Sequence, residues 1–443
     1  MKLKLEAKLK LVKGEKYLQD RTLLKTYLML SDVEHLDVDP DAEDDEKTDG
    51  TEVGAITAAW ADNLKAFSNI AEIDLKAKLR PHVRYYLKLL KSKRVAPVPH
   101  NDKLVQDTQK TLQSVPVAKR YYDLFVNSLI DEKYDEGGED TRANHKYPPI
   151  VLNELFGDRS DVLKLLTSAQ FLKDKRWKEV EGPYTERGHY KVLKNIADST
   201  GILEREQWVV PLTNEEKGDR IPVNMRHLAE DYEQRYIEQW TDWMIDITVI
   251  QPTTVKEAIA TFQTLARPDW AYLRIIRTLE DGTQWHKPPS ALENDEVNNE
   301  LKRRINQRVT QETRGLRWNI DIKKLGEKTS TVPTVFKKTV EFAVTGGADT
   351  SLAKYISKVD AARGDIQKQE DQTPGLDPRL VADRLDETSK DASALLSSFD
   401  DKAKLLLSPM LLQPLRITTT KLPANGVKPV EIRKPSGVLP RRR

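Results

Sequence analysis

The chain contains no cysteine among its 443 residues, so disulfide bonds and thiolate metal sites are excluded. The redox compartment stays open, because a cysteine-free chain suits cytosol and periplasm alike. Long apolar runs are missing too: no stretch reaches the roughly 18 residues that a membrane-crossing helix needs. The basic start, MKLKLEAKLKLVKGEKYLQD, breaks every apolar run with charge and lacks the apolar core of a secretory signal. A periplasmic location would therefore need something outside these residues, a preceding transmembrane segment in a longer parent chain being the simplest candidate. Charge of one sign is also lacking. Lys+Arg 72 against Asp+Glu 70 gives a net charge of +2, too even to favour a polyanion such as nucleic acid.

Motifs that carry chemistry are absent as well. A P-loop needs glycines that bare backbone amides to phosphate and a lysine that reaches it; the one suggestive pair, Gly346 and Gly347, has no following lysine and fits a helix end. Asp37, Asp39 and Asp41 alternate as in a calcium loop. An EF-hand then requires Gly and Glu at its sixth and twelfth positions, where this chain has Ala42 and Thr48, so a solvated loop is the reading. The 7 histidines (His35, His82, His100, His145, His189, His227, His286) include no HExxH pair that would set two imidazoles on one helix face. The serine elbow GxSxG is missing. A general acid and base drawn from distant carboxylates stays open, with 70 acids to choose from. No catalytic, cofactor or metal residue is assigned.

What is present is helical periodicity on charged helices. Hydrophobic residues at 38% and charged residues at 32% fit folded helices with charged outer faces, and the length calls for several subdomains. Leu23, Leu24, Tyr27, Leu28 and Leu30 recur at near-helical spacing within residues 11–30. Trp60, Leu64, Phe67 and Ile70 make a second stripe, and Pro81 is expected to open the next helix, which carries Val83, Tyr86, Leu87 and Leu90. Leu104, Thr108, Leu112 and Val115 then lead to Pro116 and a stripe of Val117, Tyr121, Leu124, Phe125 and Leu129. Residues 131–149 read as a long exposed loop, and helices are expected at 161–172 and at 186–197, the latter capped by Thr185. QWVVPL, residues 207–212, is a strand or buried turn.

The strongest stripe is Leu228, Tyr232, Tyr236, Trp240, Trp243, Met244 and Ile247; core packing is its expected role, over ligand stacking. Thr254 and Glu257 form a capping box for a helix with Ala258, Ile259, Phe262 and Leu265, and a stripe of Trp270, Leu273, Ile276 and Leu279 is placed to fold back on it as a hairpin. A loop is expected from Gly282, a weak charged helix at 300–317, and helices at 352–359 and through 380–407. From Lys421 on there are seven bases, one acid and four prolines, the composition of a tail without a core.

Several of these stretches resemble one family. Residues 21–30, RTLLKTYLML with Tyr27 and Leu28, resemble the LRTYLML segment of the IcmF/TssM family of type VI secretion system membrane core proteins, which is also followed by an acidic loop and a tryptophan-bearing helix. LQSVPVAKRYYDL, with Pro116 and Tyr121, resembles a later segment of that family. PYTERGHY, with Tyr184, Thr185, Arg187 and Gly188, resembles its PGFYTREGY turn, and EQWVV, with Trp208, resembles the EWVLG after it. Tyr232, Tyr236 and Trp240 match a spaced aromatic helix, and LLSPMLLQPL, with Pro409 and Pro414, matches a late motif. Order and spacing agree over residues 15–416. Asp269, Trp270 and Ala271 stand where the family has SPL, and Val210 and Pro211 replace a glycine, so local turns are expected to differ.

The reading is a mainly α protein of stacked helical hairpins and bundle subdomains. Its divisions are an N-terminal subdomain at 1–130 with the acidic loop 37–49, a central one at 150–280, a C-terminal one at 300–416, and a basic, proline-containing tail at 417–443 that is disordered or ordered only in an assembly. The resemblance implies the helical periplasmic middle of a larger protein, without that family's nucleotide-binding-like portion, membrane helices or terminal β domain. It also implies a non-enzymatic scaffold that assembles with copies of itself, with a TssJ-like outer-membrane lipoprotein and with a TssL-like inner-membrane protein, membrane contact being left to segments outside this chain. A periplasmic enzyme acting on the cell wall and a cytosolic adaptor are the alternatives.

Overall fold

A computed structural model describes residues 2–31, 33–36, 51–64, 72–130, 132–133, 142–157, 159–217, 220–267, 271–284, 331–343 and 350–416. The acidic loop beyond Leu36, the Gly346–Gly347 pair, the charged segment 300–317 and the basic tail lie outside these residues. Among the described residues the fold is mainly α, with eighteen helices and two two-stranded antiparallel sheets.

The first six helices are α1 (Lys2–Leu9), α2 (Tyr17–Met29), α3 (Thr51–Leu64), α4 (Glu72–Lys91), α5 (Asp102–Gln113) and α6 (Val117–Phe125). The stripes of α1 to α5 meet in one core that includes Leu5, Leu9, Leu24, Tyr27, Leu28, Val53, Ile56, Val83, Leu87, Leu90, Val105, Leu112 and Val115. Pro81 lies inside α4 and does not open a helix. The reason is geometric. Leu75, Val83, Leu87 and Leu90 are all buried on one side while Pro81 is exposed, so the missing N–H falls on the solvent face and unbroken helix keeps every apolar contact.

Past Pro116 the chain enters a second, larger core. It continues through α7 (Leu152–Phe156), α8 (Ser160–Leu165), α9 (Ala169–Asp174), α10 (Glu186–Ala197), α11 (Ser199–Glu206), α12 (Arg220–Asp246), α13 (Val255–Leu265), α14 (Ala271–Thr283), α15 (Val332–Glu341), α16 (Ser351–Gln372), α17 (Pro378–Ser397) and α18 (Asp401–Leu412). Strands β1 (Ile150–Val151) and β3 (Glu179–Val180) pair, as do β2 (Leu166–Ser168) and β4 (Ile247–Val249). Strand β2 divides the helix expected at 161–172 into α8 and α9, because Leu166, Thr167 and Ser168 complete backbone pairing with the chain leaving α12 and are buried there. Residues 131–149 are not wholly a free loop. Lys133 bridges His145, and the Lys146 amide donates to the Glu132 carbonyl.

Caps follow the sequence closely. Thr185 accepts from the Gly188 amide at 3.3 Å, and Thr254 from the Glu257 amide at 3.2 Å. The return bond of the box is displaced by one residue, since the Glu257 carboxylate accepts from the amide and hydroxyl of Thr253. The hairpin of α13 on α14 does not form as expected. Helix α13 packs chiefly along α16 and α14 along α15, because α14 buries Tyr272, Ile275, Ile276 and Leu279 and turns Leu273 half out. It also runs on through Gly282, where a loop was expected.

Candidate functional site

Helix α12 is the axis of the larger core, and its aromatic stripe is where the resemblance-bearing residues converge. Gly182 and Gly188 let the turn before α10 fold tightly. A Cβ on Gly188 would lie 2.0 Å from the Gly182 carbonyl oxygen, and one on Gly182 would lie 2.0 Å from that of Tyr147. Thr185 locks the turn, its hydroxyl donating to the Gly182 carbonyl at 2.7 Å while capping α10.

That turn is held to α12 by polar ends of buried rings. The Tyr232 hydroxyl donates to the Pro183 carbonyl at 2.7 Å, and the Trp240 indole N–H donates to the Tyr184 carbonyl at 2.9 Å. Both carbonyls lie outside regular helix bonding and would otherwise be buried without a partner. The Tyr184 ring stacks on Tyr232 with centroids 5.7 Å apart, and its hydroxyl meets that of Tyr122 on α6 at 2.7 Å. Arg235 lies over the Tyr122 ring at 4.2 Å. Burial pushes the hydroxyls of Tyr122, Tyr184 and Tyr232 upward, so they act as neutral hydrogen-bond donors and acceptors.

His189 completes the cluster. Its ring stacks on Tyr232, with Nδ1 3.3 Å from that hydroxyl, and burial lowers its pKa to about 3, which leaves the imidazole neutral. Tyr236, whose ring meets that of His189 edge-on at 5.5 Å, donates to the Gly282 carbonyl at 2.5 Å. A Cβ at Gly282 would lie 2.0 Å from the Trp240 ring, so glycine there lets α14 close on α12.

The late motif is held in the same way. Tyr272 of α14 donates to the Met410 carbonyl and Tyr355 of α16 to the Leu411 carbonyl, each at 2.8 Å, satisfying the last turn of α18. Pro409 sits inside α18, and Pro414 is buried in the short turn that follows. Tyr27, with Leu28 beside it in the smaller core, bonds Glu6 at 2.7 Å and accepts from the Asn101 amide at 2.9 Å. Arg187 stands exposed.

A seam joins the two cores. The segment carrying Trp208 is a buried turn and not a strand, and it inserts Val209 and Val210 into the smaller core. Gln109 and Gln113 of α5 donate to the Val209 and Pro211 carbonyls at 3.1 and 2.7 Å. Glu206 meets both Arg21 and Lys25. Burial would raise the Glu206 carboxyl, but the two cations outweigh it and the net shift is downward. Next to Tyr121, Arg120 and Glu216 form an ion pair of 2.9 Å with side chains 3% and 1% exposed. The Glu216 carboxylate also accepts from the amide and hydroxyl of Thr213, and Arg120 donates to the Val115 carbonyl. A cleft of about 790 Å³ runs along this seam between residues 15–19 and α12, with Glu181, Glu238 and Asp242 beside Lys16, Lys119 and Arg235.

Sequence reasoning found the turn and the aromatic stripe but missed their companions. Arg120, Tyr122 and His189 lie within the LQSVPVAKRYYDL and PYTERGHY stretches and could have been read with them; Gly282 and Glu216 carry no local signal that names their partners. Among the described residues no group of three or more His, Asp or Glu is placed to hold a metal, and no helix is long and apolar enough to cross a membrane.

Residues 1–284 match the family model IcmF-related, described as intracellular multiplication and human macrophage-killing. The chain is 25% identical over 303 residues to the type VI secretion system component TssM1 of Pseudomonas aeruginosa, an alignment covering 66% of this chain and 24% of that protein. It thus spans about a quarter of the curated relative it matches. No solved structure matches. With well over half of its length matched by the family model, the chain belongs to the IcmF-related family.

Proposed function

We propose that this polypeptide is a structural segment of the envelope-spanning membrane complex of a type VI secretion system, a protein–protein scaffold working in the periplasm without chemistry of its own. The observation that carries the reading is where the resemblance-bearing side chains go. Tyr232, Trp240 and Thr185 donate to backbone carbonyls and the Tyr184 hydroxyl meets that of Tyr122, all inside the core, fixing turns to helices and presenting no reactive group to solvent. Family membership and the TssM1 relative support the secretion context. The scaffold assembles with further copies of itself, with a TssJ-like outer-membrane lipoprotein and with a TssL-like inner-membrane protein.

Affinity purification of the tagged chain from solubilised envelopes tests this. Co-recovery of a TssJ-like or TssL-like protein with additional copies of the chain is expected; recovery of the chain alone from cells that assemble the machine would count decisively against it. Protease added to spheroplasts tests the location, since a periplasmic chain is cleaved and a cytosolic one is protected.

A further inference from the structure

One feature at the surface is unrelated to the aromatic joint and to the seam. Helix α1 buries Leu5 and Leu9 against α2 and α5, yet Leu3 is 79% and Leu11 76% exposed, the two highest values among the large apolar side chains described. Turn bonds from Lys10 to Glu6 and from Leu11 to Lys8 carry the helical path past Leu9. At 3.6 residues per turn, Leu3, Ala7 and Leu11 then form one outward stripe, with Lys4 and Lys8 along one side and Lys10 along the other. All six residues are exposed. The stripe sits in a strongly basic stretch: residues 1–16 carry six lysines (Lys2, Lys4, Lys8, Lys10, Lys13 and Lys16) and two acids, Glu6 and Glu15.

We infer that this face of α1 docks the protein onto an anionic lipid surface. A convex apolar stripe of isolated side chains suits insertion among acyl chains and headgroups, and it offers no groove for a partner helix. Lysines on both flanks can lay their stems along the stripe and keep their ammonium groups at headgroup level. The charge is complementary to phosphatidylglycerol or cardiolipin and falls with salt. Leu5 and Leu9 anchor the opposite side of the same helix in the smaller core, so docking needs no unfolding and no rotation of the helix. The contact is peripheral and reversible, as two leucines and a lysine rim imply. It adds a membrane contact within this chain to whatever contact flanking segments make, and it stands whether or not the secretion reading holds.

The test is flotation of the purified full chain with vesicles of phosphatidylcholine alone or with a third phosphatidylglycerol. Binding to the anionic vesicles at least tenfold above the neutral ones is expected at low salt. Leu3→Gln with Leu11→Gln should cut it at least fivefold with the melting temperature unchanged, since neither side chain is buried. Lys4→Gln, Lys8→Gln and Lys10→Gln together should also lower binding and flatten its salt dependence. No preference for anionic vesicles would overturn the proposal. So would binding that survives both sets of substitutions and is lost on neutralising the seven bases of residues 421–443, which would assign it to the tail.

Discussion

In the smaller core, α1 to α5 meet through aliphatic stripes, with leucine, valine and isoleucine supplying most of the buried side chains. In the larger core the biggest fully buried side chains are aromatic, Trp240, Trp243, Tyr236, Tyr272 and Tyr355 among them, and four of these five send a polar atom to a backbone carbonyl. Aliphatic contact is non-directional, so it rewards any arrangement that removes the stripes from water. A tyrosine or indole that must satisfy a particular carbonyl rewards one arrangement only. The first kind of core suits helices that are neighbours in sequence. The second suits a core that gathers the turn at residues 182–185 and the helix ends at 282 and 410–411 around one long helix.

The largest expected difference follows from Trp240→Ala. It removes a fully buried ring and orphans the Tyr184 carbonyl, and should cost about 3–5 kcal/mol in urea unfolding. Leu87→Met in the smaller core should cost less than about 1.5 kcal/mol, because shape is nearly kept. Equal losses would erase the distinction between the cores. At the seam, Glu216→Ala leaves the Arg120 cation buried without its counter-charge and should cost about 3 kcal/mol or more. Double substitution of Arg120 by Met and Glu216 by Leu should recover much of that loss, which separates an uncompensated charge from simple loss of packing.

His189 gives the larger core a pH dependence. Below pH 6.5 the unfolded chain takes up a proton there, while the folded chain, with its pKa lowered to about 3, does not. The contribution is complete above pH 6.5 and is lost as pH falls toward 3, at about 1.4 kcal/mol per pH unit. Comparing His189→Phe with the natural chain by unfolding at pH 7 and pH 5 isolates this slope; an unchanged slope would mean that the imidazole is not shielded. A smaller effect than that of Trp240→Ala or Glu216→Ala is expected of Tyr272→Phe. It should cost about 1–2 kcal/mol by leaving the Met410 carbonyl unpaired, and the amides near the end of α18 should then exchange faster with solvent.

Much of the fold was legible because it is local. Thr185 and Thr254 announce helix starts by chemistry confined to three or four residues, and the stripe from Leu228 to Met244 marks the buried face of α12, although the helix begins earlier, at Arg220, and Ile247 at the end of the stripe falls in β4. Pro81 misled because proline marks a break only when its missing donor would be buried, and exposure is not written in a local pattern. Strand β2 and the buried Gly282 were invisible for a related reason: each is set by a partner about 40 to 80 residues away, β4 for the first and Trp240 for the second. The candidate joint was half legible. Its residues could be found from PYTERGHY and the aromatic spacing, but their meeting on α12, and the buried seam pair Arg120–Glu216, are products of the tertiary fold.

Hydrogen exchange on the natural chain tests the central claim most directly, namely that the turn at residues 182–188 is held as one unit with α12. The amides of Tyr184, Thr185 and His189 should exchange as slowly as those near Tyr236 and Trp240, with the same dependence on denaturant, because opening the turn breaks the bonds from Tyr232 and Trp240. Fast, denaturant-independent exchange in the turn while α12 stays protected would contradict it.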